Sequence, residues 1–181
     1  MTAPSNSLVW NSRRLGAALA VLALSAAPLS AAEGSTVEQA TKAAMVYNFG
    51  RFTTWPGSRF GTPGDPVVLC VDPASNMAGS LQQLNGKPVG GRFLLVALTS
   101  RVDRTCNMAW VSARDANDGY ISSLRDRGVL TIGEAPGFTR SGAIQLVTIG
   151  RQVRFRINQE NALAAGAMLS SNLLRLAVAV N

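Results

Sequence analysis

At 181 residues, with 17 Lys or Arg against 10 Asp or Glu and a formal charge of +7, the chain is long enough to bury its own core as one domain. It contains no histidine and only two cysteines, which removes Ser-His-Asp and Cys-His nucleophiles and an ordinary zinc site. No GxGxxG or GxxxxGK(S/T) phosphate loop and no GxSxG elbow occurs, so neither an enzyme nor a cofactor is expected.

The N-terminus places Arg13 and Arg14 before an apolar run over 15–29, followed by Ser30, Ala31 and Ala32. Ser30 and Ala32 are the small residues a signal peptidase needs at minus three and minus one, so residues 1–32 read as a cleaved secretory signal peptide and 33–181 as the mature domain. The alternative, a membrane anchor, is opposed by Pro28, which leaves an Ala-rich core shorter than the roughly 20 residues a spanning helix needs. Removing Arg13 and Arg14 leaves 15 basic against 10 acidic residues, about +5, and only Lys42 and Lys87 of these are lysines. Arginine forks onto carboxylates and phosphates, so anionic ligands, acidic protein faces and lipid headgroups fit such a surface; the plain alternative is a basic surface that only keeps the protein in solution. Nucleic acid is excluded for an exported protein.

A helix is expected from Ser35, with Glu38 three places on as a capping box and an apolar row of Val37, Ala40, Ala44, Tyr47, Phe52 and Trp55, ending at Pro56. Residues 58–66 form a Gly/Pro-rich loop, and Val67–Val71 is a continuous apolar run of the kind buried on both faces of a sheet. A short helix over 75–84 presents Met77, Leu81 and Leu84, Asn85-Gly86 marks a turn, and Arg92–Leu98 is the next strand. Strands over 107–112 and 129–132 flank a helix over 115–127 that stops at Gly128. Asp65, Asp72, Asp103, Asp115, Asp118 and Asp126 all fall at loops or helix edges, where capping and solubility account for them.

Strands over 143–149 and 152–157 are joined by Gly150-Arg151, a two-residue type II′ hairpin turn. In the second, Val153, Phe155 and Ile157 alternate with Gln152, Arg154 and Arg156, one apolar face against one wet face. From Asn158, an N-cap, one long helix is expected through Leu163, Ala167, Ser170, Leu174 and Ala177, with Leu169, Leu173 and Leu176 widening its stripe. The element order predicts a single-domain α/β/α sandwich with a mixed, largely parallel sheet ending in an antiparallel hairpin.

Cys70 lies in the first long strand and Cys106 just before the third, 36 positions apart. In an oxidising compartment an even pair closes, so a disulfide is predicted; a redox-active pair lacks CxxC spacing and a histidine to lower a thiol pKa.

Three segments carry a family resemblance. KAAMVYNFGRFTTWP over 42–56, the LCVD and TCNMAWVS cysteine segments, and VRFRIN with the small-residue stretch and SSNLLRLA after it together resemble the YfiR-like family of periplasmic proteins. The similarity runs over about 41–177. Some members carry a second cystine in the region corresponding to 138–146; this chain has none there, which implies a looser segment over 134–142. The resemblance implies a periplasmic regulator that binds and represses a membrane-bound diguanylate cyclase of the YfiN type, lowering cyclic-di-GMP and biofilm formation, or that binds another envelope sensor protein. A homodimer is also allowed.

Because such inhibition works by binding, the candidate interface residues are aromatic and Arg positions: Tyr47, Arg51, Trp55, Arg154 and Arg156. For the aromatic row the bland reading is core packing. A second functional reading is a module that binds or senses a small anionic metabolite, held by Arg side chains and stacked on a Trp.

Overall fold

A computed structural model describes residues 1–2 and 29–181, with side-chain detail from residue 36 onward; the expected signal peptide up to residue 28 lies otherwise outside the described residues. In chain order the elements are α1 (Leu29–Arg51), β1 (Thr53–Thr54), β2 (Val67–Val71), α2 (Ala78–Gln82), β3 (Pro88–Val89), β4 (Arg92–Leu98), β5 (Met108–Val111) and α3 (Asp118–Asp126). There follow β6 (Leu130–Gly133), β7 (Ile144–Ile149), β8 (Gln152–Ile157), α4 (Gln159–Ala164), β9 (Met168–Leu169), α5 (Ser171–Leu176) and β10 (Ala179–Val180).

One sheet carries eight of the strands in the order β10-β8-β7-β6-β5-β2-β4-β3. Pairing is parallel from β4 through β2, β5 and β6 to β7, and antiparallel for β3–β4 and for the β7–β8 hairpin. This is the mixed, mostly parallel α/β sandwich the element order predicts. β10 adds to it, lying parallel to β8 outside the hairpin. Gly150 at φ 61° and the pairing of Ile149 with Gln152 give the expected two-residue turn.

The two faces bury two cores. On one side α1 and α2 cover Leu69, Leu94, Met108, Trp110, Ile132, Leu146 and Phe155, and Phe49 meets Phe155 edge-on with centroids 5.0 Å apart. On the other α3 packs Ile121 and Leu124 against Cys70, Ala109, Val111 and Phe138. Gly128 at φ 81° ends α3, as its sequence predicts, but the helix begins at Asp118 and not at 115, because Asn117 caps it by accepting the Tyr120 N–H at 2.8 Å.

Three helical expectations are corrected. α1 begins at Leu29, so Ser35 lies inside the helix and is not its cap. The buried row of α1 is Ala43, Val46 and Phe49, while Val37, Ala40 and Ala44 are exposed. Alanine sits on both faces of this helix, so the larger Val46 and Phe49, three apart, decide which side turns inward. α1 also ends at Arg51, so Phe52 and Trp55 lie beyond it. The C-terminal segment is not one helix. Gly166 at φ 69° interrupts it, β9 pairs antiparallel with β1, and Ser170 begins α5 by accepting the Leu173 N–H. Ala162, Ala165, Ala167 and Leu173 are buried, whereas Leu163 and Leu176 of the expected stripe are exposed.

The segment over 134–142 is held rather than loose. Phe138 is 2% exposed, and a Cβ at either Gly133 or Gly142 would overlap its ring. Asn158 and Asn161 donate side-chain amide hydrogens to the carbonyls of Thr139 and Gly142, at 2.9 and 3.0 Å. An aromatic plug and two amides therefore secure a stretch that has no cystine.

Candidate functional site

The five candidate interface residues fall into two groups on opposite faces of the sheet. Tyr47 and Arg51 lie on the last two turns of α1, the helix whose Phe49 contacts Phe155 of β8. Arg154 and Arg156 alternate with Phe155 and therefore point to the other face. A flat partner can cover one group or the other, not both.

In the first group, the Tyr47 hydroxyl donates to the Pro88 carbonyl at 2.7 Å, and its ring lies between Arg51 and Lys87, at 5.8 and 5.5 Å. Arg51 also lies 5.8 Å from the Phe52 ring. These cation–π contacts keep the Arg51 side chain over aromatic surface while it remains exposed. Trp55 is different: it is 7% exposed, belongs to the α1-side core, and its indole N–H is buried without a partner. It packs, and offers little surface to another molecule.

In the second group, cross-strand pairing sets Arg156 opposite Gln145, Arg154 opposite Val147, and Gln152 opposite Ile149. Both arginines are exposed and form no ion pair among the described residues. Ile149 is 52% exposed, so this end of the hairpin combines two free guanidinium groups with apolar surface. A cavity of about 470 Å³ lies alongside, lined among others by Arg156, Gln145, Lys42 and Glu134. The Gln145 Nε2 donates to Ala135 at 2.7 Å, while its Oε1 is buried without a partner.

Lys42 bridges Glu134 at 2.5 Å and Glu38 at 2.8 Å, tying α1 to the loop after β6. Burial works against charge on Lys42, but its hydrogen bonds to Glu134 and Glu38 outweigh this and hold the ammonium above the usual lysine range. The hydrogen bond from Lys42, with its charge, holds the Glu38 carboxyl below the usual carboxylate range.

Cys70 and Cys106 are joined in a disulfide, with their Cα atoms 5.8 Å apart. Next to it is an arginine that the sequence reading passes over. Arg59 donates to the carbonyls of Cys106 and Arg127, at 2.8 and 3.3 Å, while its Nε is buried with no partner. Burial, with the neighbouring charge of Arg104, lowers its pKa from the ordinary arginine value, and it forms no ion pair among the described residues. Its only sequence signal is a cation inside a Gly/Pro-rich loop, which is no signal of burial.

Among the described residues there is no cluster of His, Cys, Asp or Glu that could hold a metal ion, and no helix long and apolar enough to cross a membrane. The fold defines the class: a cystine-stapled α/β sandwich with exposed arginines and an exposed Ile149 on its terminal hairpin. Residues 39–178 match the YfiR/HmsC-like family, and the chain belongs to it. No curated protein matches the chain.

Proposed function

We propose that this is a periplasmic regulatory protein that binds the sensor part of a membrane-bound diguanylate cyclase of the YfiN type and keeps it repressed, lowering cyclic-di-GMP and biofilm formation. Residues 1–32 are the exported chain's cleaved leader and 33–181 its working domain. The observation that carries this reading is membership of the YfiR/HmsC-like family over 39–178.

Of the two candidate surfaces, the open face of β8 is the better interface. Its Arg154 and Arg156 are free to meet carboxylates on the partner, and Ile149 supplies apolar contact beside them. Tyr47 and Arg51 are already engaged with Pro88 and with one another. The mechanism is occupancy: the bound domain favours the inactive arrangement of the cyclase by binding it more tightly than the active one.

The test is a photo-crosslinking amino acid placed at Arg156 in intact cells. Capture of a membrane-bound diguanylate cyclase, with cyclic-di-GMP rising when the gene is deleted, is the expected result. Unchanged cyclic-di-GMP on deletion, with no cyclase captured, removes the reading.

Arg59 favours a second reading, that of a small anionic metabolite bound near the cystine. An anion beside Arg59 and Arg104 would offset the repulsion between their guanidinium charges. Inorganic phosphate that raises the melting temperature of the wild type but not of R59M supports it; equal response of both proteins counts against it.

A further inference from the structure

β7 outruns the strand beside it. The β6 ladder ends where Gly133 pairs with Gln145, whereas β7 continues to Ile149 in its hairpin with β8. The Asn158 N–H donates to the Ala143 carbonyl at 2.8 Å, so these two form a hydrogen-bonded pair of the antiparallel ladder. Such pairs alternate, so Gln145, Val147 and Ile149 also direct their backbone groups to β8. Ile144, Leu146 and Thr148 direct theirs the other way, toward β6. Past Gly133 the chain leaves the line of β6, because Phe138 folds back against that glycine. Among the described residues the Leu146 carbonyl and both backbone groups of Thr148 consequently have no main-chain partner.

The cavity of about 470 Å³ runs along this stretch, lined by residues 145–149 and, around them, by Lys42, Glu134, Pro136 and Gly137. Two acceptors and one donor at ladder spacing are met together by extended backbone, which is how an added strand binds an exposed sheet edge. The charges on the two faces of this edge differ. On the α1 side Glu38 and Glu134 flank the single ammonium of Lys42, an excess of one carboxylate. On the open side Arg154 and Arg156 form no ion pair among the described residues, and Arg140, whose guanidinium lies against Gly137, has the exposed Asp118 at 3.8 Å. Val147 and Ile149 add apolar surface there. A strand laid along β7 alternates its side chains between these faces. It fits with an acidic residue over Arg156 and neutral or basic residues toward Lys42.

We infer that the free edge of β7 takes an extended, acidic segment of the membrane-bound partner as an added strand. The inference rests on the proposed regulatory reading and deepens it: main-chain bonds to Leu146 and Thr148 hold the partner beside the Arg154 and Arg156 face.

The test places a photo-crosslinking amino acid at Pro136 in intact cells, in the wild-type background and in T148P and T148V. T148P removes the N–H that a docked strand needs. Because that N–H points away from β8, the hairpin keeps its bonds, and the melting temperature is expected to stay close to that of T148V. Expected are capture of the cyclase from Pro136 through an acidic segment, capture reduced at least tenfold by T148P, and capture unchanged by T148V. Hydrogen exchange of the wild-type protein reads the same contact without any substitution: the Thr148 amide slows at least tenfold when the captured cyclase, full-length and solubilised in detergent, is added. Capture from Arg156 but not from Pro136, a crosslinked segment lacking acidic residues, undiminished capture by a folded T148P, or unchanged Thr148 exchange in the complex overturns the added strand and leaves the regulatory reading standing. No capture from either position, with cyclic-di-GMP unchanged on deletion, removes both.

Discussion

The α3-side core is closed by two unlike devices, the Cys70–Cys106 bond and the Phe138 plug, and both belong to one buried cluster. The cystine links β2 to the segment entering β5 and acts largely by restricting the unfolded chain. Phe138 pins the loop between β6 and β7 through native packing alone, its ring set against Gly133 and Gly142 where no other residue leaves room. One loop is thus stabilised through the unfolded state and the other through the folded one. The resemblance to relatives with a second cystine implies looseness over 134–142, but a missing covalent link need not mean a missing constraint.

Substitutions can break this pair of devices one at a time. F138A empties the fully enclosed site and is expected to cost about 3–5 kcal/mol in urea unfolding. Replacing both cysteines, as C70S/C106S, is expected to cost about 3–4 kcal/mol for a closure of 36 positions. Reductant should then lower the wild-type midpoint and leave that of the double variant where it is. N161A removes the amide that donates to Gly142 and accepts from Arg125 at 3.1 Å, and is expected to cost about 1–3 kcal/mol. Stability of N161A equal to wild type would mean that the loop is held without the Asn161 amide.

The Lys42 bridge sharpens the comparison by fastening the same loop to α1 through charge. The Glu38 carboxyl is depressed in the folded state, so its contribution is present above the unfolded value of about 4.3 and is lost as pH falls through the lower folded pKa. Lys42 is raised, so its contribution is full below about 10.4 and is lost as pH rises through the higher folded pKa. Melting curves of K42M should accordingly fall less steeply than wild type at both ends of the pH range. Parallel curves would show the bridge to be inert. The smallest effect on stability is expected for R154E/R156E, within about 0.5 kcal/mol per exposed position.

Much of this architecture is visible in the residues. Val67–Val71 and Arg92–Leu98 are short apolar runs flanked by Gly and Pro, which reads as sheet, and Gly150 announces the hairpin. The alternation of Arg154 and Arg156 with Phe155 places both arginines on the side away from the helix that packs on Phe155. Other features depend on tertiary context. A stretch rich in Ala and Leu reads as one helix until Gly166 takes a positive φ and lets β9 meet β1. Trp55 looks like interface material in a sequence and becomes core because α1 ends four residues before it and turns it inward. Phe138 is a lone aromatic in a loop, and its importance appears only when Gly133 and Gly142, on either side of it in sequence, close on its ring. The free edge of β7 belongs to strand order and ladder length, which no local pattern records.

The central claim, that the protein represses a cyclase by contact through the open β8 face, is tested most directly by cyclic-di-GMP levels in a deletion strain. Wild-type protein is predicted to lower the nucleotide, while R154E/R156E, exported to the same level and equally stable, leaves it high. Repression by the variant as strong as by wild type would contradict the assigned face, and failure of the wild type to lower cyclic-di-GMP would contradict the function itself.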